Sequence, residues 1–270
     1  MLKHRLIPNV ILNNGNIVQS VNFKHTNVIG NAITAIDFFN SWAVDEIIVL
    51  DVSRNKDSRS KFHKILSGLS KRCFVPLTVG GWITDVKEIH QLLKEGADKV
   101  SINTEAVKNP DFISECSKIF GSQCITVSID VKKNPKDQYE VFINRGKDSS
   151  GLDPVQWAKK VEKLGAGEIL LTSIDFEGSR KGYDISLLKQ VCESVSVPVI
   201  AFGGVGEWQH LVDGIRKGKA DAVSAANIFH YTEHSTNEAK KFMQNDGLNV
   251  RTPQFYDLPT PRKPKYNEIY

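Results

Sequence analysis

Two glycine pairs mark the places in this sequence where a small anion could bind. Gly80-Gly81 and Gly203-Gly204 each end a short apolar run and precede a segment of helix length. Glycine lets a ligand approach the backbone, and the N–H groups that open a helix bind anions well. Two such sites predict a ligand with a phosphate group at each end. The alternative is that the glycines only permit tight turns.

We group each glycine pair with the polar residues that follow the next apolar run along the chain. Trp82 adds bulk directly after the first pair, so the second pair is the better candidate for a phosphate site. For the first pair, anion binding and a simple turn stay about equally open. The first glycine cluster comprises Gly81, Asn103 and Thr104, and the second comprises Gly203, Gly204 and Asn227.

Asp130 is the candidate acid–base residue. It follows the apolar run 125–129, so its carboxylate should lie at the carboxyl end of a buried strand. Carboxylates in such positions act as general acids or bases. The alternative is an aspartate that caps a helix.

These candidates belong to a sequence repeat. The segment 168–229 resembles the segment 46–106, because three motifs recur in the same order 122 or 123 residues later. In each copy an apolar run ends in Gly-Gly, and a helix-length segment and another apolar run follow, which is the pattern of a βα unit. The duplication predicts an α/β fold, a single (β/α)8 TIM barrel built from two repeated half-barrels.

The predicted barrel takes up residues 1–251, and residues 252–270 form a Pro- and Lys-rich tail to which we assign no function. A polar loop over the barrel mouth is expected before residue 30, and an extra hairpin is expected between 132 and 151. Asn31 is expected to cap the first helix. The eight predicted strands are 5–12, 46–52, 75–79, 99–102, 125–130, 168–173, 197–202 and 222–225.

Composition argues against several other classes of protein. The formal net charge of +4 is small and scattered, so no nucleic-acid surface is expected. No apolar run approaches the roughly 20 residues of a membrane span, and the N-terminus lacks a signal-peptide pattern. The four cysteines have neither metal nor redox spacing. We therefore expect reduced thiols, no metal, no cofactor, no membrane association and a cytoplasmic location.

Several motifs together resemble one known family, the cyclase subunit of imidazole glycerol phosphate synthase. The resemblance covers residues 5–251. It implies a (β/α)8 barrel with a phosphorylated small-molecule ligand, which receives ammonia from a glutaminase subunit docked at its N-terminal face. The motifs that carry it are Leu77-Thr-Val-Gly-Gly81, Ala97-Asp-Lys-Val-Ser-Ile-Asn-Thr104, Phe120-Gly-Ser-Gln123, Leu171-Thr-Ser-Ile-Asp175 and Gly247-Leu-Asn-Val-Arg251.

The resemblance also implies roles for individual residues. It places Asp98 and Gln123 at the glutaminase interface, and it adds Asp175, Gly178 and Ser179 to the ligand site. In the family, a ring of charges at the strand starts gates an ammonia tunnel. The matching residues are Arg5, Glu46, Lys99 and Glu168.

The sequence departs from the family at the barrel mouth. The family uses two catalytic aspartates; Asp130 matches one, and Ile11 stands where the other belongs. Trp82 replaces the third glycine of a phosphate loop, and Gln19 replaces a phosphate-contacting lysine. Four further departures are Phe202 and Asn227, each in place of a serine, Glu177 in place of an aspartate, and Ser179 in place of a threonine.

This combination of a complete charge ring and an altered barrel mouth resembles the branch of the family found with bacterial surface-sugar pathways. There the barrel, a glutaminase and an ATP-dependent amidotransferase install an acetamidino group on a sugar. One alternative is a genuine histidine-pathway cyclase, although losing one carboxylate of a pair that acts as a unit commonly costs orders of magnitude in rate. Another alternative is a non-catalytic scaffold that activates the glutaminase.

Overall fold

A computed structural model describes residues 3–55, 58–231 and 234–254 as strands and helices that alternate along the chain. The helices are α1 (Ala32–Ser41), α2 (Ser58–Ser70), α3 (Val86–Lys94), α4 (Thr104–Lys108), α5 (Asp111–Phe120), α6 (Pro154–Lys163), α7 (Ile185–Cys192), α8 (Trp208–Arg216) and α9 (Ser235–Asn245). The strands are β1 (Arg5–Asn13), β2 (Asn16–Val21), β3 (His25–Gly30), β4 (Ile47–Asp51), β5 (Leu77–Gly80), β6 (Lys99–Ile102), β7 (Ile125–Lys133), β8 (Tyr139–Ile143), β9 (Asp148–Ser149), β10 (Glu168–Ser173), β11 (Val199–Phe202) and β12 (Ala222–Ala225).

Eight of these strands form a closed parallel barrel. Their order is β10-β11-β12-β1-β4-β5-β6-β7, and pairing of β7 with β10 closes the ring. The strands are buried on both faces, because one face meets the surrounding helices and the other meets the barrel interior. The predicted (β/α)8 barrel is confirmed.

The two halves of the barrel repeat the same contacts as well as the same motifs. The Leu77 N–H donates to Asp98 Oδ2 at 2.8 Å, and the Val199 N–H donates to Asp221 Oδ2 at 2.9 Å. Each aspartate lies between a helix and a strand, and ties its own strand to the preceding one. The sequence repeat therefore corresponds to a structural repeat of the strand connections.

Most of the predicted strand bounds agree with the structure to within about one residue, but β7 runs further than predicted, to Lys133. β5 and β11 begin later than predicted, directly after Pro76 and Pro198. Proline has no N–H to donate to a strand ladder. Asn31 caps α1 as predicted, since its side chain accepts from the Ile33 N–H at 2.8 Å.

Two antiparallel hairpins extend from the mouth of the barrel. The hairpin predicted between 132 and 151 is confirmed as β8 and β9, which pair beside the extended end of β7. The polar loop expected before residue 30 is instead the β2–β3 hairpin, so that expectation was wrong. Asn14 and Gly15 have φ of 50° and 82° and join β1 to β2 as a two-residue turn. Asn-Gly favours this turn strongly.

Among the described residues, no helix is long and apolar enough to cross a membrane. Most of the Pro- and Lys-rich tail, residues 255–270, lies outside the described residues.

Gly204 should be needed for folding as well as for any ligand. Its φ is +104°, and a Cβ there would stand 1.9 Å from the Gly182 carbonyl oxygen. Gly204→Ala should therefore lower the free energy of unfolding by about 2 kcal/mol or more in urea titrations. Gly30→Ala is the matched control, because nothing lies within 4 Å of the added Cβ. Equal stability of the two variants would contradict this account.

Candidate functional site

Four charged side chains form a closed ring at the N-terminal end of the barrel. Arg5 Nη1 lies 2.8 Å from Glu46 Oε2, and the other terminal guanidinium nitrogen of Arg5 pairs with Glu168. Lys99 Nζ lies 3.0 Å from Glu46 Oε2 and 3.1 Å from Glu168 Oε2. Each cation therefore contacts both acids. The structure brings the four predicted gate residues together.

Burial makes this pairing necessary. The side chain of Glu46 is 2% exposed and that of Glu168 is 8% exposed. Burial alone acts to lower the pKa of Arg5, but the attraction of Glu168 and Glu46 outweighs it, so the pKa is raised. An unpaired carboxylate in such a place would be strongly destabilising. The ring therefore keeps Arg5 positively charged at neutral pH.

Above the ring, the barrel interior is polar on β5, β6 and β7. The Thr78 hydroxyl donates to Glu46 Oε1 at 2.7 Å and so continues the ring upward. Alternation with outward-facing core residues places Ser101 and Thr126 on the interior face as well. Both hydroxyls are buried, and among the described residues neither has a hydrogen-bond partner. Buried polar groups are normally paired, so these hydroxyls can bond a small polar guest.

The other strands give the interior an apolar side. Its polar exceptions include Asn9 on β1 and Ser224 on β12, since both side chains are fully buried and have no hydrogen-bond partner within the described part of the chain. The apolar interior residues are Ile7, Ile11, Ile48, Leu170, Ile200 and Phe202.

Asp130 lies on the interior face of β7, where the strand reaches the mouth. Ser128 Oγ donates to its Oδ1 at 3.0 Å. Burial raises the pKa of Asp130 to about 6, although hydrogen bonds from Ser128 and Thr172 oppose the shift. A carboxyl group with this pKa can both give and take a proton near neutral pH. No helix begins at Asp130, so it is not a helix cap.

Ile11 lies on the interior face of β1 near the same end of the barrel and is 5% exposed. It pairs with Leu50 of β4 in the strand register, and both side chains belong to the apolar interior. The position of Ile11 therefore supplies no second acid to act with Asp130.

The second glycine cluster forms a pocket. Gly203, Gly204 and Asn227 line it together with Gly178, as predicted from separate parts of the sequence. Arg180 also lines the pocket and was missed, because it stands in a polar loop with no distinguishing motif. Backbone N–H groups with a nearby guanidinium suit a phosphate group.

Glu177 ties the β2–β3 hairpin to this pocket. The buried carboxylate accepts from the Ser20 hydroxyl at 2.8 Å and from the Phe23 N–H at 3.1 Å. Burial raises the pKa of Glu177, against the effect of these hydrogen bonds. The Asn227 amide also donates to the Ser20 carbonyl oxygen at 3.3 Å. The hairpin therefore roofs the second glycine cluster, a role that was not predicted for Glu177.

The polar groups of the first glycine cluster are largely bonded to other parts of the protein. A Cβ on Gly81 would lie 2.2 Å from the Asp51 carbonyl oxygen, so this glycine is required by the close approach of β4. The Asn103 amide donates to the Ser128 carbonyl oxygen at 3.0 Å, and Thr104 Oγ1 accepts from the Asn144 N–H at 3.0 Å. The turn explanation therefore accounts for Gly81, while phosphate binding at this cluster stays a prediction.

The remaining predicted residues lie apart from the pocket. Asp175 is exposed and accepts from the Lys133 N–H at 2.9 Å, and Ser179 Oγ accepts from the Lys181 N–H at 3.2 Å. Asp98 and Gln123 are exposed and precede β6 and β7, so both lie at the N-terminal face of the barrel. Their predicted roles in ligand or partner binding stay predictions.

Within the described residues, no group of three or more His, Cys, Asp or Glu side chains is arranged to hold a metal ion.

Comparison with known proteins shows which family the chain is similar to. A family model described as "Histidine biosynthesis protein" matches residues 5–235. A Vibrio vulnificus protein named "Putative imidazole glycerol phosphate synthase subunit hisF2" is 51% identical over 251 residues, which cover 93% of this chain and 92% of that protein. A Chloroherpeton thalassium protein named "Imidazole glycerol phosphate synthase subunit HisF" is 47% identical over 251 residues, which cover 93% of this chain and all of that protein.

Asp130 should make stability depend on pH. Because its pKa of about 6 lies above the usual 3.8, the native state holds this proton more tightly than the unfolded chain does. Its contribution to stability is therefore present below about pH 4 and lost as the pH rises through 6, by up to about 3 kcal/mol. Urea unfolding of the wild type and Asp130→Asn at several pH values should show this difference. Parallel pH curves would contradict the assignment.

Proposed function

Since the chain belongs to the histidine biosynthesis protein family, we propose that it is a synthase subunit that accepts ammonia from a glutaminase and passes it through the barrel to the mouth. The observation that carries the proposal is the ring of Arg5, Glu46, Lys99 and Glu168. Its members contact one another across the axis from four different strands. Such a ring can open by the movement of one side chain, whereas an apolar plug would need repacking.

The polar interior supports transit beyond the ring. Ammonia both donates and accepts hydrogen bonds. The hydroxyls of Ser101 and Thr126 and the amide of Asn9 have no hydrogen-bond partner among the described residues. Thr126 is the strand partner of Glu168 in the ring, whereas Ser101 and Asn9 follow Lys99 and Arg5 on their strands and so lie closer to the mouth. These groups can replace the hydrogen bonds that ammonia would otherwise make to water. The path ends near Asp130, which can move a proton during use of the ammonia.

The N-terminal face supports a partner at the entrance. Phe74 and Ile119 precede barrel strands there and are 66% and 55% exposed. Asp98 and Gln123 lie on the same face. Large apolar side chains with a polar surround are typical of protein interfaces. The two relatives are named as subunits of imidazole glycerol phosphate synthase, and for this chain the partner we propose is a glutaminase.

The acceptor of the ammonia is the finer part of the proposal. Ile11 stands where the resemblance implies a second catalytic aspartate, and Trp82 alters the first glycine cluster. Both features favour an acceptor other than the histidine-pathway substrate. We propose amidination of a surface sugar, with an ATP-dependent sugar amidotransferase as third partner. The second candidate is the histidine-pathway cyclase, favoured by Asp130, with its raised pKa, and by the pocket at the second glycine cluster.

Lys99→Ala tests conduction. In the complex with the glutaminase, the ratio of glutamine-dependent to ammonium-dependent product formation should change by about threefold or more. Use of free ammonium at high pH should stay largely intact, because ammonia then enters from solution at the mouth. The fold should persist, since Lys99 is 20% exposed.

Lys71→Ala is the control, because this exposed lysine follows α2 at the same end of the barrel, outside the ring. It should leave both rates unchanged. If Lys99→Ala lowers both rates equally in a folded protein, the ring is a structural seal and the conduction proposal is wrong.

Ile11→Asp tests the acceptor. With ammonia and the histidine-pathway substrate, a bis-phosphorylated ribulosyl aminoimidazole carboxamide, the wild type should turn over about 10²-fold more slowly than a two-aspartate cyclase. Ile11→Asp should recover part of that rate, and the uncharged control Ile11→Asn should not. A wild-type rate equal to that of a two-aspartate cyclase would instead establish the histidine-pathway candidate.

A further inference from the structure

An arginine lies against the face of an indole ring at the barrel mouth. The guanidinium carbon of Arg145 is 5.0 Å from the centroid of the Trp82 ring. Trp82 is itself held in place, because its indole N–H donates to the Ser53 carbonyl oxygen at 2.9 Å. A cation above an indole face is attracted by the ring quadrupole. The ring therefore fixes the position of Arg145 over the mouth.

The turn that carries Arg145 is anchored without its side chain. Asn144, Arg145 and Gly146 have φ of 51°, 58° and 70°, values that side-chain-bearing residues rarely adopt. The Asn144 N–H donates to Thr104 Oγ1 at 3.0 Å, and the Asn144 amide donates to Asp148 Oδ2 at 2.9 Å. Holding the hairpin in place therefore does not explain the position of the guanidinium.

Among the described residues, the Arg145 side chain donates no hydrogen bond, so its N–H groups remain for a ligand. In the described part of the chain, no carboxylate forms an ion pair with Arg145. Asp51 attracts it, but the Asp51 carboxylate already accepts from the Ser53 hydroxyl at 2.5 Å and faces Arg59 at 3.4 Å. Burial and repulsion by Arg54 lower the pKa of Arg145. A bound anion would relieve this excess of positive charge.

We propose that Arg145 and Arg54 form an oxyanion site that takes a phosphate monoester group, with Trp82 as its support. Arg54 directly follows Ser53, whose carbonyl oxygen accepts from the Trp82 indole N–H, so its backbone lies beside the same ring. Guanidinium groups match phosphate oxygens with two parallel hydrogen bonds, and a stacked guanidinium loses less freedom on binding. The two cations come from different loops, the tip of the β8–β9 hairpin and the segment after β4. A ligand there would join these loops.

This site differs from the backbone cradle expected at the first glycine cluster. The side chains of Asn103 and Thr104 bond to Ser128 and Asn144, so the guanidinium pair supplies the donors. Trp82 then determines which ligand binds by holding Arg145 in position, and does not simply block a phosphate loop. The site does not depend on ammonia transfer, so its test needs neither glutaminase nor substrate.

The test is titration of the full chain with inorganic phosphate at low ionic strength, followed by the indole N–H signals in ¹⁵N NMR spectra. Trp82→Phe identifies the Trp82 signal among the four tryptophans. In the wild type this signal should shift and saturate. Arg145→Gln should weaken the apparent Kd for this shift by about 10-fold or more, because a charge-assisted bidentate pair is lost.

Lys147→Gln is the matched control, because it removes one charge from an exposed position on the same hairpin. Its Kd should stay within about twofold of the wild type, since exposed charges contribute little. The other three indole signals report whether each variant is folded. The absence of a saturable Trp82 shift in the wild type, or an equal Kd in Arg145→Gln and the wild type, would overturn the proposal.

Discussion

Two buried carboxylates at the narrow end of the barrel impose the strongest constraint on this structure. Glu46 and Glu168 are nearly inaccessible and lie in equivalent places in the two half-barrels. They are stable only because Arg5 and Lys99 each reach both of them. Four strand starts must therefore converge within hydrogen-bond reach, so the ring depends on closure of the barrel. Any passage through the barrel axis has to pass the same four side chains.

The polar and the apolar side chains of the barrel interior come largely from different strands. Thr78, Ser101 and Thr126 come from three consecutive strands, β5, β6 and β7, while Ile48, Leu170 and Ile200 come from β4, β10 and β11. The repeat preserves some interior side chains, such as the buried Ser101 and Ser224, and changes others, since Ile200 stands in the second half where Thr78 stands in the first. A polar molecule that enters through the ring meets side chains on β1, β6, β7 and β12 that have no hydrogen-bond partner among the described residues, and β7 also carries Asp130.

The sequence predicted the barrel and its strands well, because both depend on local pattern and on the repeat. The residues of the charge ring came from the family resemblance, and the structure brings all four together. Asp130 was also predictable, since it follows the strand-like run Ile125-Thr-Val-Ser-Ile129. The β2–β3 hairpin was missed although Asn14-Gly15 signals its turn. Glu177 and Arg145 could not be found from local pattern, because their partners, Ser20 and Trp82, are distant in the chain and meet only when the loops fold over the mouth.

The changes at the mouth have a consistent electrostatic direction. Ile11 supplies no carboxylate, so the interior near Asp130 is apolar on the side of β1, and burial raises the pKa of that acid. A second carboxylate would also raise that pKa, through the repulsion of a like charge. At the same time Arg145 adds positive charge over the mouth, against Trp82, and Arg54 adds positive charge in the loop after β4. The mouth therefore attracts anions more strongly and keeps Asp130 as a group that can transfer a proton. At the other end of the barrel, all four residues of the charge ring are present. These changes at the mouth, together with the complete charge ring at the other end, are the features on which the proposed change of acceptor rests.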